Sequence, residues 1–147
     1  MTAEQKKEWL GRYRKAKIAE NEIEMEIEEI ENEYMIPAKR MDRMPRGGQA
    51  KDLADMAAEM EPLFIKLKEQ LGKRIEIYHE IVDAVEHSPI SETQRAILRY
   101  RYILCLKWEE IEELLHTDRS WLHRQRETAI ARLKIKKKNS QQKTTQG

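Results

Sequence analysis

The chain has 147 residues, a net charge of +1, 37% charged residues and a single phenylalanine. That composition supports one ordinary domain or two small modules around a thin core. No apolar run reaches 18 residues and no signal peptide is present, so we expect a soluble, cytoplasmic protein without a membrane partner. One cysteine, Cys105, excludes an intramolecular disulfide, and its apolar neighbours predict a buried thiol.

Glycine and proline are few, and no segment alternates as a half-buried strand does, so an all-α fold is predicted. The first element is one long helix from about Ala3 to Tyr34. Its apolar residues recur at steps of four and three, with Glu20 as the polar exception, which is a heptad seam. This seam consists of Trp9, Tyr13, Ala16, Ile23, Ile27, Ile30 and Tyr34.

A basic loop over residues 35–51 follows, with five Lys or Arg against Asp42 alone. It is either a contact for a DNA minor groove or an acidic polymerase surface, or a solvated connection. A second helix over 52–87 carries its own seam, which shifts register once, and Pro62 predicts a bend or restart there. Its apolar positions are Leu53, Met56, Met60, Leu63 and Leu67, then Leu71, Ile75, Tyr78, Val82 and Val85.

These two helices predict an antiparallel, coiled-coil-like hairpin over residues 1–88. A two-helix seam leaves much apolar surface in water, so we expect a homo-oligomer, with a dimer favoured. Ile77, Ile81 and Ala84 form a second apolar face of this helix, which can pack on the C-terminal module as an alternative to oligomerisation, and we expect both contacts. The residues assigned to the oligomer seam are Trp9, Tyr13, Ile23, Ile27, Ile30, Tyr34, Leu53, Met56, Met60, Leu63 and Leu67.

A second module is predicted over residues 89–136, after Ser88-Pro89. Ser91 and Gln94 stand in the order of a capping box, so a helix begins there. Its periodicity predicts inward Ile97, Leu98 and Ile103, with Tyr100 or Arg101 beside them. The same periodicity predicts that Arg95 and Arg99 face outward.

The module continues with a short helix whose inward residues are Trp108, Ile111, Leu114 and Leu115, ending at His116-Thr117. Asp118 is a suitable N-cap for a third helix. Inward positions of that helix are Leu122, Ala129, Ile130 and Leu133, and outward ones are Arg119, Ser120, His123, Arg124 and Arg126. Two helices joined by so short a turn predict a helix-turn-helix unit that reads DNA with its second helix.

Charge is segregated along the chain. Residues 20–34 contain eight glutamates and no base, whereas residues 117–147 contain nine Lys or Arg against two acids. A basic C-terminal end is what phosphate binding requires. We expect the last helix to fray into a disordered basic and polar tail over 137–147, which either contacts DNA or only aids solubility. The predicted phosphate contacts are Arg126, Arg132, Lys134, Lys136, Lys137 and Lys138.

The stretch Ser91–Leu133, 43 of the 147 residues, resembles region 4 of sigma-70-type factors, and the resemblance lies in Ile97–Tyr102, Trp108–Ile111, Asp118–Arg124 and Ala129–Leu133. With residues 35–48, the chain is also similar to phage and prophage regulators of the RinA and ArpU type. The resemblance implies a transcription regulator in a bacterial host cell that acts with RNA polymerase. It implies base contacts at Arg119, Ser120, His123 and Arg124. His116 stands where sigma factors have a turn glycine, and no region 2 precedes the unit.

Catalytic and metal chemistry find little support. Glu76–His79 and Glu113–His116 have the spacing of metal-ligand pairs, but 22 glutamates make such spacings common by chance. We expect no enzyme activity, no cofactor and no metal. Trp121 either covers a sugar–phosphate edge or packs on the module's own core.

The leading hypothesis is a sequence-specific transcription regulator that binds double-stranded DNA. One alternative is a DNA-packaging protein of the small-terminase type, which would form a ring of many subunits. The other is a polymerase-binding protein without DNA specificity.

Overall fold

A computed structural model describes the backbone of residues 1–40 and 49–136, and the side chains of 1–34 and 53–136. The centre of the predicted basic loop and the predicted tail 137–147, with Lys137 and Lys138, lie outside these ranges. Within them every regular element is helical, which confirms the all-α class. The elements are α1 (Ala3–Leu10), α2 (Arg12–Arg40), α3 (Gln49–His87), α4 (Glu92–Leu98), a π-helical turn (Arg99–Ile103), α5 (Trp108–Leu115) and α6 (Arg119–Arg132).

None of the described helices is both long and apolar enough to span a bilayer. The single helix predicted from Ala3 to Tyr34 is wrong, because α1 ends at Leu10 and α2 starts at Arg12. Gly11 separates them: its amide still donates to the Lys7 carbonyl at 2.9 Å, but its ψ of −5° leaves the helical range. Glycine has the least preference for helix after proline, so the break falls there.

Contacts divide the chain into two compact units. Unit 1 joins Met1–Arg14 to the chain from Ile77 onwards, and unit 2 is Lys15–Glu76. This division differs from the boundary predicted at residue 88, because both ends of the predicted hairpin belong to the C-terminal unit.

In unit 2, the contacts between α2 and α3 are those of an antiparallel helix pair. Glu20 pairs with Arg74, and the Tyr34 hydroxyl donates to Glu59 at 2.8 Å. That hydrogen bond, more than any other cause, raises the pKa of Tyr34 to about 12. Between these ends lies an apolar cluster of Ile23, Ile27 and Met60, with Ile30, Met56, Leu63 and Leu67 against it.

Most residues assigned to an oligomer seam therefore pack within the chain. Trp9 and Tyr13 belong instead to the core of unit 1. Leu53 is 61% exposed and lies in neither cluster. Helix α3 also runs through Pro62 without restarting. Within the chain, α2 and α3 thus supply contacts to each other for Ile23, Ile27, Ile30, Met56, Met60, Leu63 and Leu67.

Unit 1 is built around residues from both ends of the chain. Leu10 of α1, Ile81 and Val85 of α3, Leu98 of α4 and Ile130 of α6 are at most 1% exposed and form one cluster. Ala84 is part of it and Ile77 packs against it. The predicted second apolar face of α3 thus packs on the C-terminal helices.

Ser88 connects three elements of this unit. It is 3% exposed, its hydroxyl donates to the Ala84 carbonyl at 2.7 Å, and it accepts from the Lys134 amide at 2.8 Å. Arg95 donates to the carbonyls of Val85 and Ser88, at 3.1 Å each. The outward position predicted for Arg95 is therefore wrong, because its guanidinium caps the end of α3.

Candidate nucleic-acid interface

Helices α5 and α6 are joined by three residues, His116–Asp118. His116 adopts the left-handed conformation with a φ of 53°, at the position where the sequence resemblance places a glycine. The Thr117 amide then donates to the Glu112 carbonyl at 3.2 Å. Asp118 caps α6 by accepting from the Trp121 amide at 3.0 Å, as predicted. These contacts end one helix and start the next.

The pair is held by a closed apolar cluster of Ile97, Ile111 and Leu122, each with no exposed surface. Trp121 packs against it, in agreement with the core interpretation of that residue. Leu114 is 52% exposed, so its predicted inward position is wrong. The reason is the short length of α5, whose buried face is complete with Ile111 and the half-buried Trp108 and Leu115.

The outward side of the N-terminal half of α6 carries Arg119, Ser120 and Arg124, all exposed. Arg119 is bound to the carboxylate of Glu112 at 2.9 Å and lies 3.4 Å from that of Glu109. The hydrogen bond with Glu112 raises the pKa of Arg119. Arg124 makes no ion pair or side-chain hydrogen bond with the described residues. Of the predicted base-reading residues, Ser120 and Arg124 are therefore the free ones.

His123 and Arg126 are half-buried, contrary to the predicted outward positions. Their side chains pack on Trp108: the His123 ring lies 4.7 Å from it, and the Arg126 guanidinium 5.1 Å. Arg101 lies 4.8 Å from the same ring. Burial, followed by the charges of Arg126 and Arg119, lowers the pKa of His123. His123 and Arg126, both predicted to contact DNA, thus pack on Trp108.

Basic residues follow α6 in a defined conformation. Leu133 is extended with a ψ of 131° and 2% exposed, and the Lys134 amide bonds to Ser88. Residues 133–136 thus dock beside the end of α3, and the predicted disordered tail 137–147 lies outside the described residues. Arg132, Lys134 and Lys136 are exposed. Together with Arg124 they supply positive charge at both ends of α6.

Helix α1 packs on α6, a contact that sequence analysis missed. Lys6 donates to the carbonyls of Ile130 and Ala131, at 3.1 Å each, and Lys7 pairs with Glu127 at 2.9 Å. That bond raises the pKa of Lys7 and lowers the pKa of Glu127. A lysine at the end of a helix satisfies its last carbonyls. No local signal reveals partners 124 residues apart.

Among the residues described, no group of three His, Cys, Asp or Glu side chains is placed to hold a metal ion. Cys105 is half-buried, whereas the sequence predicts a buried thiol. Its φ of 56° lies in the left-handed region. It ends the π-helical turn: the Leu104 amide donates to the Arg99 carbonyl, and the Leu106 amide to the Tyr100 carbonyl, both at 2.9 Å. Its role here is to turn the chain.

Comparisons with protein-family models, with curated proteins and with solved structures found no match to this chain.

Proposed function

We propose that the chain is a sequence-specific DNA-binding regulator of transcription, of the phage or prophage kind. The α5–α6 pair carries this proposal. A short helix is joined through three residues to a basic helix, over a closed apolar cluster, and Ser120 and Arg124 are exposed where the second helix starts. In a helix-turn-helix unit these are the positions that enter the major groove.

In the proposed architecture, α4 to α6 form the helix-turn-helix module, and α2 with α3 forms a hairpin that supports oligomerisation. Arg124 is the leading base reader, because it is free to make a bidentate contact with guanine. Arg119 must first break its ion pair with Glu112, and this offsets part of the free energy that a DNA contact provides. Lys134 and Lys136 bind phosphates, as does Arg132. Action through RNA polymerase is supported by the sigma-like residues of α4 to α6.

Selection from a random duplex library at physiological salt tests the proposal. The chain is expected to enrich one sequence. Arg124→Ala then weakens binding to that sequence by about 5- to 150-fold, as loss of one bidentate base contact does, and changes binding to random DNA little. Arg132→Ala weakens both to a similar degree and lowers the salt dependence.

Lys73→Ala is the matched control, since it removes the same charge from an exposed position of α3. It should bind both DNAs as the parent chain does. Two results reject the proposal: no enriched sequence, or an equal loss on selected and random DNA for Arg124→Ala.

A further inference from the structure

Within unit 2, helix α3 has a further apolar face that none of the described side chains of the unit covers. Between the residues that pack on α2, seven others recur at steps of four and three, and every one is exposed. We name them the outer stripe: Leu53, Ala57, Glu61, Phe64, Lys68, Leu71 and Ile75. Phe64 is 51% exposed and Ile75 is 45% exposed.

This stripe differs from scattered surface apolar residues. On α2, the exposed apolar residues Ile18 and Met25 are seven residues apart, so they give one apolar residue for every two helical turns. The outer stripe instead gives a residue at every turn over 22 residues, about 33 Å at 1.5 Å per residue. Five of its seven residues are apolar, and an exposed helix stripe of this length and composition indicates a contact with another helix.

The charges of unit 2 indicate what that helix is. Eight glutamates over residues 20–34 place strong negative charge on the same unit, which excludes nucleic acid as the occupant. Within the stripe, the two polar residues are Glu61 and Lys68, opposite in sign and one heptad apart. A parallel second copy would bring Glu61 to Glu61 and Lys68 to Lys68. An antiparallel copy crossing near Phe64 brings each Glu61 to the other copy's Lys68.

We propose that the outer stripe is the dimer interface of this protein, and that two copies pair antiparallel along it. The chain supplies both halves of the interface, apolar side chains on apolar side chains and two reciprocal ion pairs, as an isologous contact requires. Of the residues predicted to form the oligomer seam, Leu53 alone belongs to the outer stripe. The proposed pairing rests on unit 2 alone and is independent of DNA binding by α6.

Sedimentation equilibrium of the full chain tests the pairing. The expected mass is twice 17.6 kDa. Glu61→Lys and Lys68→Glu each turn two attractions into two repulsions and should weaken dimerisation by roughly tenfold. The double variant E61K/K68E recreates the reciprocal pairs in the antiparallel arrangement only, and should return the dissociation constant to within about threefold of the parent. Matched controls are Glu69→Lys and Lys66→Glu, exposed residues outside the stripe.

A second variant tests the apolar part. Phe64→Asp with Leu71→Asp should give a monomer, with dimerisation weakened by at least about a hundredfold, because each copy loses two apolar contacts. The circular dichroism spectrum of the variant should keep its helical signal, because both positions are exposed in the single chain. A parent chain that remains monomeric at high concentration overturns the proposal, as does a dimer that this variant leaves intact. Single charge variants that the double variant fails to rescue overturn the antiparallel pairing.

Discussion

Replacing Ser88 with alanine removes the hydroxyl that connects α3 to the segment after α6. Two hydrogen bonds are lost, one to the Ala84 carbonyl at 2.7 Å and one from the Lys134 amide at 2.8 Å. Each contributes about 0.5–1.5 kcal/mol, and a donor left without a partner in a buried setting adds to the cost. Because Ser88 is 3% exposed, water does not replace the hydroxyl freely. We expect the free energy of unfolding to fall by about 2–3 kcal/mol.

Urea unfolding followed by circular dichroism measures this loss. With a slope of about 1–3 kcal/mol/M, the midpoint should move down by roughly 0.7–3 M. Limited trypsin digestion gives an independent reading, because the peptide bond after Lys134 becomes accessible once its amide is released. Cleavage there should be faster in Ser88→Ala while cleavage within unit 2 keeps its rate.

Ser120→Ala is the matched control, with the same chemical change at an exposed position of α6. It should alter stability by no more than about 0.5 kcal/mol. If the two variants unfold at the same urea concentration, Ser88 does not hold the end of α6 and the reasoning fails.

Three further predictions concern charged groups. Arg95→Ala should cost about 2 kcal/mol in urea unfolding, because hydrogen bonds from a charged donor are lost, while Arg99→Ala, which removes an exposed ion pair, should cost under about 1 kcal/mol. The pKa of His123 is lowered in the folded chain, so below about pH 6.5 the unfolded chain binds more protons and the free energy of unfolding falls as the pH falls. His123→Phe should make the free energy of unfolding, measured in urea titrations, depend less on pH between about pH 5 and 7. An unchanged pH dependence contradicts the burial of His123. Lys7→Ala removes one of the two cations that pair with Glu127, the other being Arg126, so it leaves more negative charge on α6 and should weaken DNA binding about threefold in a fluorescence titration, whereas the double variant with Glu127→Gln should restore it.

The features predicted correctly from sequence are the local ones. The capping box of Ser91 and Gln94 and the cap at Asp118 depend on residues three apart, and both are confirmed. The buried residues Leu122, Ala129 and Ile130 are also confirmed, because helical periodicity is read within a single segment.

The wrong predictions concern side chains whose positions depend on a partner that is distant in the sequence. The position of Arg95 depends on the carbonyls at the end of α3, and that of His123 on Trp108. Periodicity identifies a seam but not whether its partner is the same chain or another one, and the structure shows that α2 and α3 contact each other through most of it. The docking of Lys6 on the end of α6 has no signature in either segment.

That docking has a consequence for how the protein folds as it is made. Helix α1 is synthesised early, yet its carbonyl partners on α6 are 124 and 125 residues away and emerge late. Unit 2 takes its parts of α2 and α3 from the continuous segment Lys15–Glu76, so its contacts are available sooner. Closing unit 1 therefore joins segments that are far apart in sequence, and such non-local contacts form slowly. Until then Leu10 and Trp9 lack their core partners, and the nascent chain exposes these apolar side chains of α1.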